Sequence, residues 1–493
     1  MEKYNLEQKI KAEIARLWQM SERYISSDIA VHEIEKGILL QLLSIGLLLL
    51  KFIIASKEPS TRGYEVADLS SSVINKGMNT RKYLSIFGQL EISRMSYWEK
   101  EVGTFYKLDE HLSLPHGSQL SYNLQEWLGD SASESDYRES VVLLNKILGL
   151  SLNGSLSKRN INRLGSYVDP YYESVDKVPI PDALCFSASF DGKGVPKIKP
   201  LTASSDNPKK RLSKGEKLGK KQMATVVVTS SFTPRPRTID SILKALVGSP
   251  LSPVKEIQES DEKSPPNDNQ WHQNIHRRAM LDDQERAIDY GIFNIKERMT
   301  DPNSRFVVPI DAGIGLEDKV LARVEQYGLK EQFDGIILDI IHVSEYVWNA
   351  ATAIFGEKSV FRREWVLQSL SDILNSRTDL VINELIKNRD KTKLTEKKVK
   401  TLNKAITYFT NHQHKMDYQA YLKKGYPVSS ALVESACGHL VKERMEQSGM
   451  RWEDNGAQSM MDIRAVKQND DTNEFMAFTI KMDRKVILKN IAA

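Results

Sequence analysis

Apolar positions change period several times along the chain, and each change marks a different kind of element. From Asn5 to about Ala55 they recur at helical spacing, first in a charged amphipathic stretch and then in one that is almost wholly apolar from Gly37 to Ile54. Two helices are expected there. Around Tyr83–Arg94 the period falls to two with Gly88 in the middle, the pattern of a β-hairpin or bulged pair. Helical spacing returns after Leu114-Pro115. Ser135-Asp136 is placed to cap a helix over Tyr137–Leu148, Gly149 to Gly154 makes a turn, and Ser155 or Ser157 starts another helix through Leu164. This outlines a helix-turn-helix, in which Lys158, Arg159, Asn160 and Arg163 would face a DNA groove. It equally outlines a plain helical hairpin with a basic outer face.

From Ala183 the helical period gives way to near-continuous apolar runs: Ala183–Phe190, Met223–Thr229, Phe306–Ile310 and Gly335–Ile341. Such runs suit a sheet covered on both faces. Between the first two lie Lys193, Lys197, Lys199, Lys209, Lys210, Arg211, Lys214, Lys217, Lys220 and Lys221, opposed only by Asp206 and Glu216. That segment reads either as a solvated loop or as a surface that grips phosphates. Ser249–Gln270, rich in Pro, Ser and acidic residues, reads as a flexible polar excursion. Helical spacing dominates again from Val343 to about Leu422, and a further helix opens after Pro427 with Ser429 or Ser430 as its cap.

At 493 residues the chain exceeds one core, and roughly three domains are expected. With 40% hydrophobic and 27% charged residues it reads as soluble and globular. The 69 basic residues are nearly offset by 65 acidic ones, so the net charge of +4 says less about partners than the local lysine run does. Cys185 and Cys437 form neither a disulfide framework nor a zinc site by themselves, which agrees with a reducing cytoplasm. Gln41, Ser44, Gly46 and Lys51 interrupt the apolar Gly37–Ile54 stretch, so a buried helix is expected there rather than a membrane span; it would pack against the chain itself or a second copy.

Three acidic residues stand where an element could aim them at one point. Asp191 ends the run from Leu184 and precedes Gly192-Lys193-Gly194; Asp311 ends Phe306–Ile310; Glu434 lies about one turn into its helix. Two strand carboxylates and one helix carboxylate make a hard oxygen pocket suited to magnesium, and hence to phosphoryl transfer. Each alone has an ordinary reading, as a turn aspartate or a solvated glutamate. His342, just past a strand, has no second His or Cys beside it for zinc, so a structural or positioning role is expected for it. Lys442 lies two turns beyond Glu434. Trp452, next to Arg451, either stacks on an unpaired base or packs in the core.

The blocks Asp191-Gly192-Lys193-Gly194-Val195-Pro196, Leu338 through Trp348, Val433 through Met445, and Ser448-Gly449-Met450-Arg451-Trp452 with Gly456-Ala457 resemble the signature blocks of bacterial insertion-sequence transposases of the Kra type, over roughly residues 80 to 480. The resemblance implies a DDE enzyme, an α/β multidomain chain whose RNase H-like mixed-sheet core carries a helical insertion and follows a helical and β-hairpin DNA-binding region. The implied divisions are 1–78 helical, 79–112 hairpin, 113–178 helical, 179–342 first part of the core, 343–425 insertion, 426–455 last part of the core and 456–493 tail. It makes Asp191, Asp311 and Glu434 the metal-binding catalytic trio and Asp339 with His342 a supporting element. Mg2+ is the implied cofactor, with Mn2+ as substitute. The implied partners are transposon ends and target DNA, bound by at least a dimer at the bacterial nucleoid and not by a membrane protein. Lys158, Arg159, Arg163, Lys193, Lys209, Lys210, Arg211, Lys214, Lys220, Lys221, Lys442, Arg451 and Trp452 become DNA-contact candidates. Here Ala312 intervenes before Gly313 where the family's second aspartate is usually followed by glycine, and Asp318 is a rival for that place. A nuclease without strand transfer, or an inactive DNA-binding protein, would share the same core.

Overall fold

The computed structural model describes residues 2–64, 73–100, 103–175, 179–180, 185–198, 221–248, 271–313, 315–391 and 393–492. The strand start at Ala183, the polar excursion, and Lys199, Lys209, Lys210, Arg211, Lys214, Lys217 and Lys220 lie outside the described residues. The chain divides into two compact units, Met1–Ser174 with Asp462–Ala493, and Val175–Met461.

In that unit α1 (Glu2–Ile25) and α2 (Val31–Tyr64) precede an antiparallel sheet of β1 (Ile74–Ser85), β2 (Gly88–Glu99) and β3 (Gly103–Phe105). The hairpin pairs Ser85 with Gly88 across a two-residue turn, where Gly88 has a positive φ of 130°, and a bulge interrupts the ladder near Asn75 and Gly77. Short helices follow: α3 (Lys107–His111), α4 (Tyr122–Glu134), α5 (Val142–Leu148), α6 (Gly154–Gly165) and α7 (Val168–Ser174). Asn153, not Ser155 or Ser157, caps α6, its side chain accepting from Leu156 N at 2.9 Å.

The apolar α2 is not the buried helix its composition suggested. Leu47, Leu50 and Ile54 pack on Leu90 and Ile92 of the hairpin. Ile38, Leu39, Leu40, Leu42, Leu49 and Ile53 remain exposed, because α1 and the three-stranded sheet cover only part of a helix that is apolar nearly all round. Over Val31–Lys57 this helix is long and apolar enough to cross a membrane, by length and composition alone, and only 11% of its apolar window is buried.

The second unit is built on a mixed five-stranded sheet of β4 (Cys185–Pro196), β5 (Lys221–Phe232), β6 (His272–Leu281), β7 (Arg305–Ile310) and β8 (Phe333–Leu338), in the order β6-β5-β4-β7-β8. β5 runs antiparallel to both β4 and β6, whereas β7 pairs in parallel with β4 and with β8. Both faces are covered, as the apolar runs required. On one face Phe186, Ala188 and Phe190 meet α9 (Gln284–Arg298) and α10 (Leu316–Gln326) through Ile288, Ile292, Ile295 and Val320. Gly291 lets α9 come close, since a Cβ there would lie 2.8 Å from Phe190 Cε1. On the other face Cys185, Val307 and Ile337 join a larger core with α8 (Ile239–Val247), α11 (Ile340–Phe355), α12 (Val360–Leu374), α13 (Thr378–Lys391), α14 (Glu396–His412) and α15 (Tyr418–Lys424). After α15 come α16 (Ala431–Ala436), a π-helical stretch over Cys437–Lys442 and α17 (Glu443–Met445). Two further helices, α18 (Asp454–Gln468) and α19 (Thr472–Ala492), complete the chain.

Candidate active site

The period of two along a strand decides which way the first two carboxylates face. Phe186, Ala188 and Phe190 point to the α9 side, so Asp191 points to the α11 side; by the same count Phe306, Val308 and Ile310 send Asp311 to that side as well. Phe190 pairs with Ile310 across the parallel β4–β7 ladder, which brings the next residues, Asp191 and Asp311, alongside one another. Asp191 does not end its strand: it pairs with Val226 inside a ladder that continues to Pro196, and its Oδ1 accepts from Gly192 N at 2.6 Å. Asp311 follows the last residue of β7, and its Oδ1 accepts from Gly313 N at 3.1 Å.

Glu434 comes from α16, close enough for the Asp191 charge to act on it. Ser430 stands at the N-cap position of that helix without a side-chain cap bond; its backbone N–H donates to Asp339 Oδ2 at 2.8 Å and its hydroxyl donates to the same oxygen. Asp339 Oδ1 in turn accepts from Ile341 N at 2.6 Å, capping α11. One fully buried carboxylate thus ties the beginnings of two helices together. His342, one turn into α11, sits with Nε2 3.4 Å from Glu434 Oε1 and Nδ1 3.6 Å from Glu345 Oε2.

These charges act on one another. Burial first, then Asp191, raises the Asp311 carboxyl above its ordinary value. Burial, then Asp339, raises Glu434, with Asp191 and Glu345 adding to the effect and His342 opposing it. Burial pulls the His342 imidazole down, but Asp339, Glu345, Glu434 and Asp311 together outweigh it and the net shift is upward. The buried Cys437 thiol is pushed up by burial and then by Asp191, to which it hydrogen-bonds, so it stays protonated. Among the described residues no lysine or arginine forms an ion pair with Asp191, Asp311 or Glu434.

Carboxylates that repel one another and have no lysine or arginine partner are a donor set that a hard divalent cation satisfies. The donor chemistry therefore fits magnesium. Asp191, Asp311 and Glu434 do not bring ligand atoms within 4.8 Å of one another, whereas Asp339, His342 and Glu434 do. In that grouping the Asp339 oxygens already accept three hydrogen bonds.

Other expected site residues separate into two groups. Lys193, Lys221 and Lys442 surround Glu446 at the edge of the site, Lys221 in an ion pair and all three lowering its pKa, with Lys221 the largest cause. Lys442 and Arg451 are exposed. The π-helical stretch changes the phase between Glu434 and Lys442, so the regular two-turn spacing does not apply. Trp452 is only 6% exposed; its Nε1 donates to Met445 O at 3.0 Å, and its backbone N–H donates to Pro196 O at 2.9 Å, extending β4. Core packing is its role. On α6 Arg159 is exposed and Lys158 half-buried, but Asn160 is buried and donates to Gln125 O at 2.8 Å. Arg163 binds Gln125 Oε1 at 2.6 Å and pairs with Asp483, so those two do not face outward together as a recognition helix would require. Asp318 is exposed on α10, beside Leu321, Lys330 and Phe333 and away from Asp191. Ser430 and Glu345 were not assigned a role at the site; of these Ser430 carried a signal, as a possible helix cap.

The chain matches no protein-family profile and no curated protein sequence.

Proposed function

We propose that this chain is a DDE-type DNA transposase whose second unit is an RNase H-like core. The observation that carries this reading is the register of Asp191 and Asp311 on adjacent parallel strands, with the charge of Asp191 reaching both Asp311 and Glu434. Three antiparallel strands flanked by two parallel ones, interrupted by helices before the glutamate, support the same reading.

Asp191, Asp311 and Glu434 would hold magnesium. When bound, the metal supplies charge that lowers the pKa of an attacking water or 3′-hydroxyl and stabilises the leaving oxygen of a phosphodiester. The residues of the chain do the positioning. Asp339 fixes the start of α16 through Ser430 and so sets the height of Glu434 above the sheet. His342, with Nε2 3.4 Å from Glu434 Oε1, would steady the Glu434 carboxylate that would hold the metal. Lys193, Lys221 and Lys442 offer positive charge to the flanking phosphates.

The test is a cleavage and strand-joining assay on DNA carrying the element's ends. Asp191→Asn, Asp311→Asn and Glu434→Gln are expected to bind DNA like the wild type and to cut at least about a thousandfold more slowly; Asp318→Asn should cut normally. Retained cutting by Asp311→Asn would remove the trio. Cutting without any joined product would leave a nuclease instead. Action as a dimer is part of the proposal, and the uncovered apolar side of α2 supports it. Light scattering of Leu42→Lys/Leu49→Lys should then report a smaller species than the wild type.

A further inference from the structure

Helices α11 and α14 border a groove of about 740 Å³ that the carboxylate site does not use. Along α14, Lys400, Lys404, Tyr408 and Asn411 follow at spacings of four, four and three, which puts them on one face. From α11 comes Tyr346, one turn beyond His342. The rings of Tyr346 and Tyr408 stack with centroids 3.8 Å apart and planes within 13°. Tyr408 is only 9% exposed, yet its Oη has no hydrogen-bond partner, and neither has the buried Nδ1 of His412 on the same groove. Buried polar atoms are nearly always satisfied, so two unsatisfied ones in a single groove point to a partner that arrives from outside. Burial first, then Tyr346, Asp339, Asp311 and Glu345, holds the Tyr408 hydroxyl protonated, so it remains a donor within the field of the acidic site.

We propose that this groove receives one unpaired nucleotide of a DNA strand, its base on the Tyr346–Tyr408 stack and bonded by Tyr408 Oη and His412, its phosphates at Lys400 and Lys404. The inference rests on the nucleic-acid reading above and deepens it. Aromatic stacking suits an unpaired base, whose face is free, rather than a duplex, whose inner bases are covered by neighbours. The groove volume falls within the ~300–1,000 Å³ typical of small-ligand sites. Exposed Lys400 and Lys404 are spaced along the helix to meet a backbone.

The test uses the full chain in EDTA, so that cleavage plays no part. Two probes are compared: a duplex with a short single-stranded end carrying 2-aminopurine at its tip, and the same duplex made blunt. Wild type should bind the overhang more tightly and quench the fluorophore. Tyr346→Ala should weaken overhang binding about tenfold or more and leave blunt-end binding unchanged. Tyr408→Phe removes an atom with no partner in the free protein, so its thermal midpoint should hold or rise while overhang binding falls; this variant decides the matter if Tyr346→Ala fails to fold. Unchanged overhang binding in Tyr408→Phe, or equal binding of overhang and blunt ends by wild type, overturns the groove while leaving the catalytic reading intact. A wild type that binds neither probe overturns both.

Discussion

Asp483 and the trio Asp191, Asp311 and Glu434 are surrounded in opposite ways. Asp483 on α19 is fully buried and accepts from four donors: Arg163, Tyr122 Oη at 2.8 Å, Tyr167 Oη at 2.6 Å and His116 N at 3.2 Å. Asp191, Asp311 and Glu434 are less buried, receive few hydrogen bonds and repel one another. A carboxylate enclosed by donors holds a fold together, whereas carboxylates that repel one another without a lysine or arginine partner carry a tension that an external cation would relieve. The neighbours, more than the residue type or its burial, tell the two uses apart.

The sharpest way to break that contrast is to neutralise a member of each set and measure both activity and stability. The loss of cutting in Asp191→Asn, Asp311→Asn and Glu434→Gln is the largest effect expected, and their stability should be nearly unchanged. Asp483→Ala should do the reverse. It leaves the Arg163 guanidinium buried without its counter-charge, a change that costs about 3–5 kcal/mol and is read by urea unfolding. If Asp483→Ala unfolds at the wild-type midpoint, the enclosed set is not structural in the sense argued.

Acid sharpens the contrast from another side. His272 on β6 is 9% exposed, its Nδ1 lies 2.8 Å from Ser230 Oγ, and burial, then Arg237, lowers its pKa from 6.5 to about 4. Its folded value is depressed, so the stability it supports is whole above about pH 6.5 and is lost as the pH falls towards 4. The loss should be about 3 kcal/mol at its limit. Asp311 and Glu434 have raised folded values, so protonating them adds stability over the acid side of the same range. His272→Gln should therefore flatten or invert the acid limb of the unfolding midpoint, and an unaltered limb would show that another group carries it.

Much of the sheet was legible because buried strands read as apolar runs, and the hairpin because its period was two around a glycine. β6 was not, since Gln273, Asn274, His276, Arg277 and Arg278 make it polar; as an edge strand it needs only one neighbour, β5, and little apolar surface. Asp191 was visible as the end of an apolar run, but its strand continues, because pairing with β5 carries the backbone past the last apolar residue to Pro196. Glu434 was legible through Ser430 and the helix that follows it. The π-helical turn after it was not, since its residues differ little from those of any buried helix. The exposure of α2 and the inward turn of Arg163 depend on what each helix packs against, and that partner is set by tertiary structure rather than by local pattern.

The smallest effect is the one that tests the tension directly. In a chelating buffer at neutral pH, Asp311→Asn removes a repelling charge and should raise the unfolding midpoint slightly above wild type, because the raised Asp311 value means its ionisation opposes folding. Adding magnesium should then stabilise wild type by an amount set by its affinity, about 1.4 kcal/mol at ten times the dissociation constant, while Asp311→Asn gains little. The two curves should cross as magnesium is added. Parallel curves would mean that the ion binds elsewhere or that the carboxylates do not share it, and the contrast with Asp483 would then reduce to a difference in burial. A crossing that also appears in Asp318→Asn would assign the effect to general surface charge rather than to the trio.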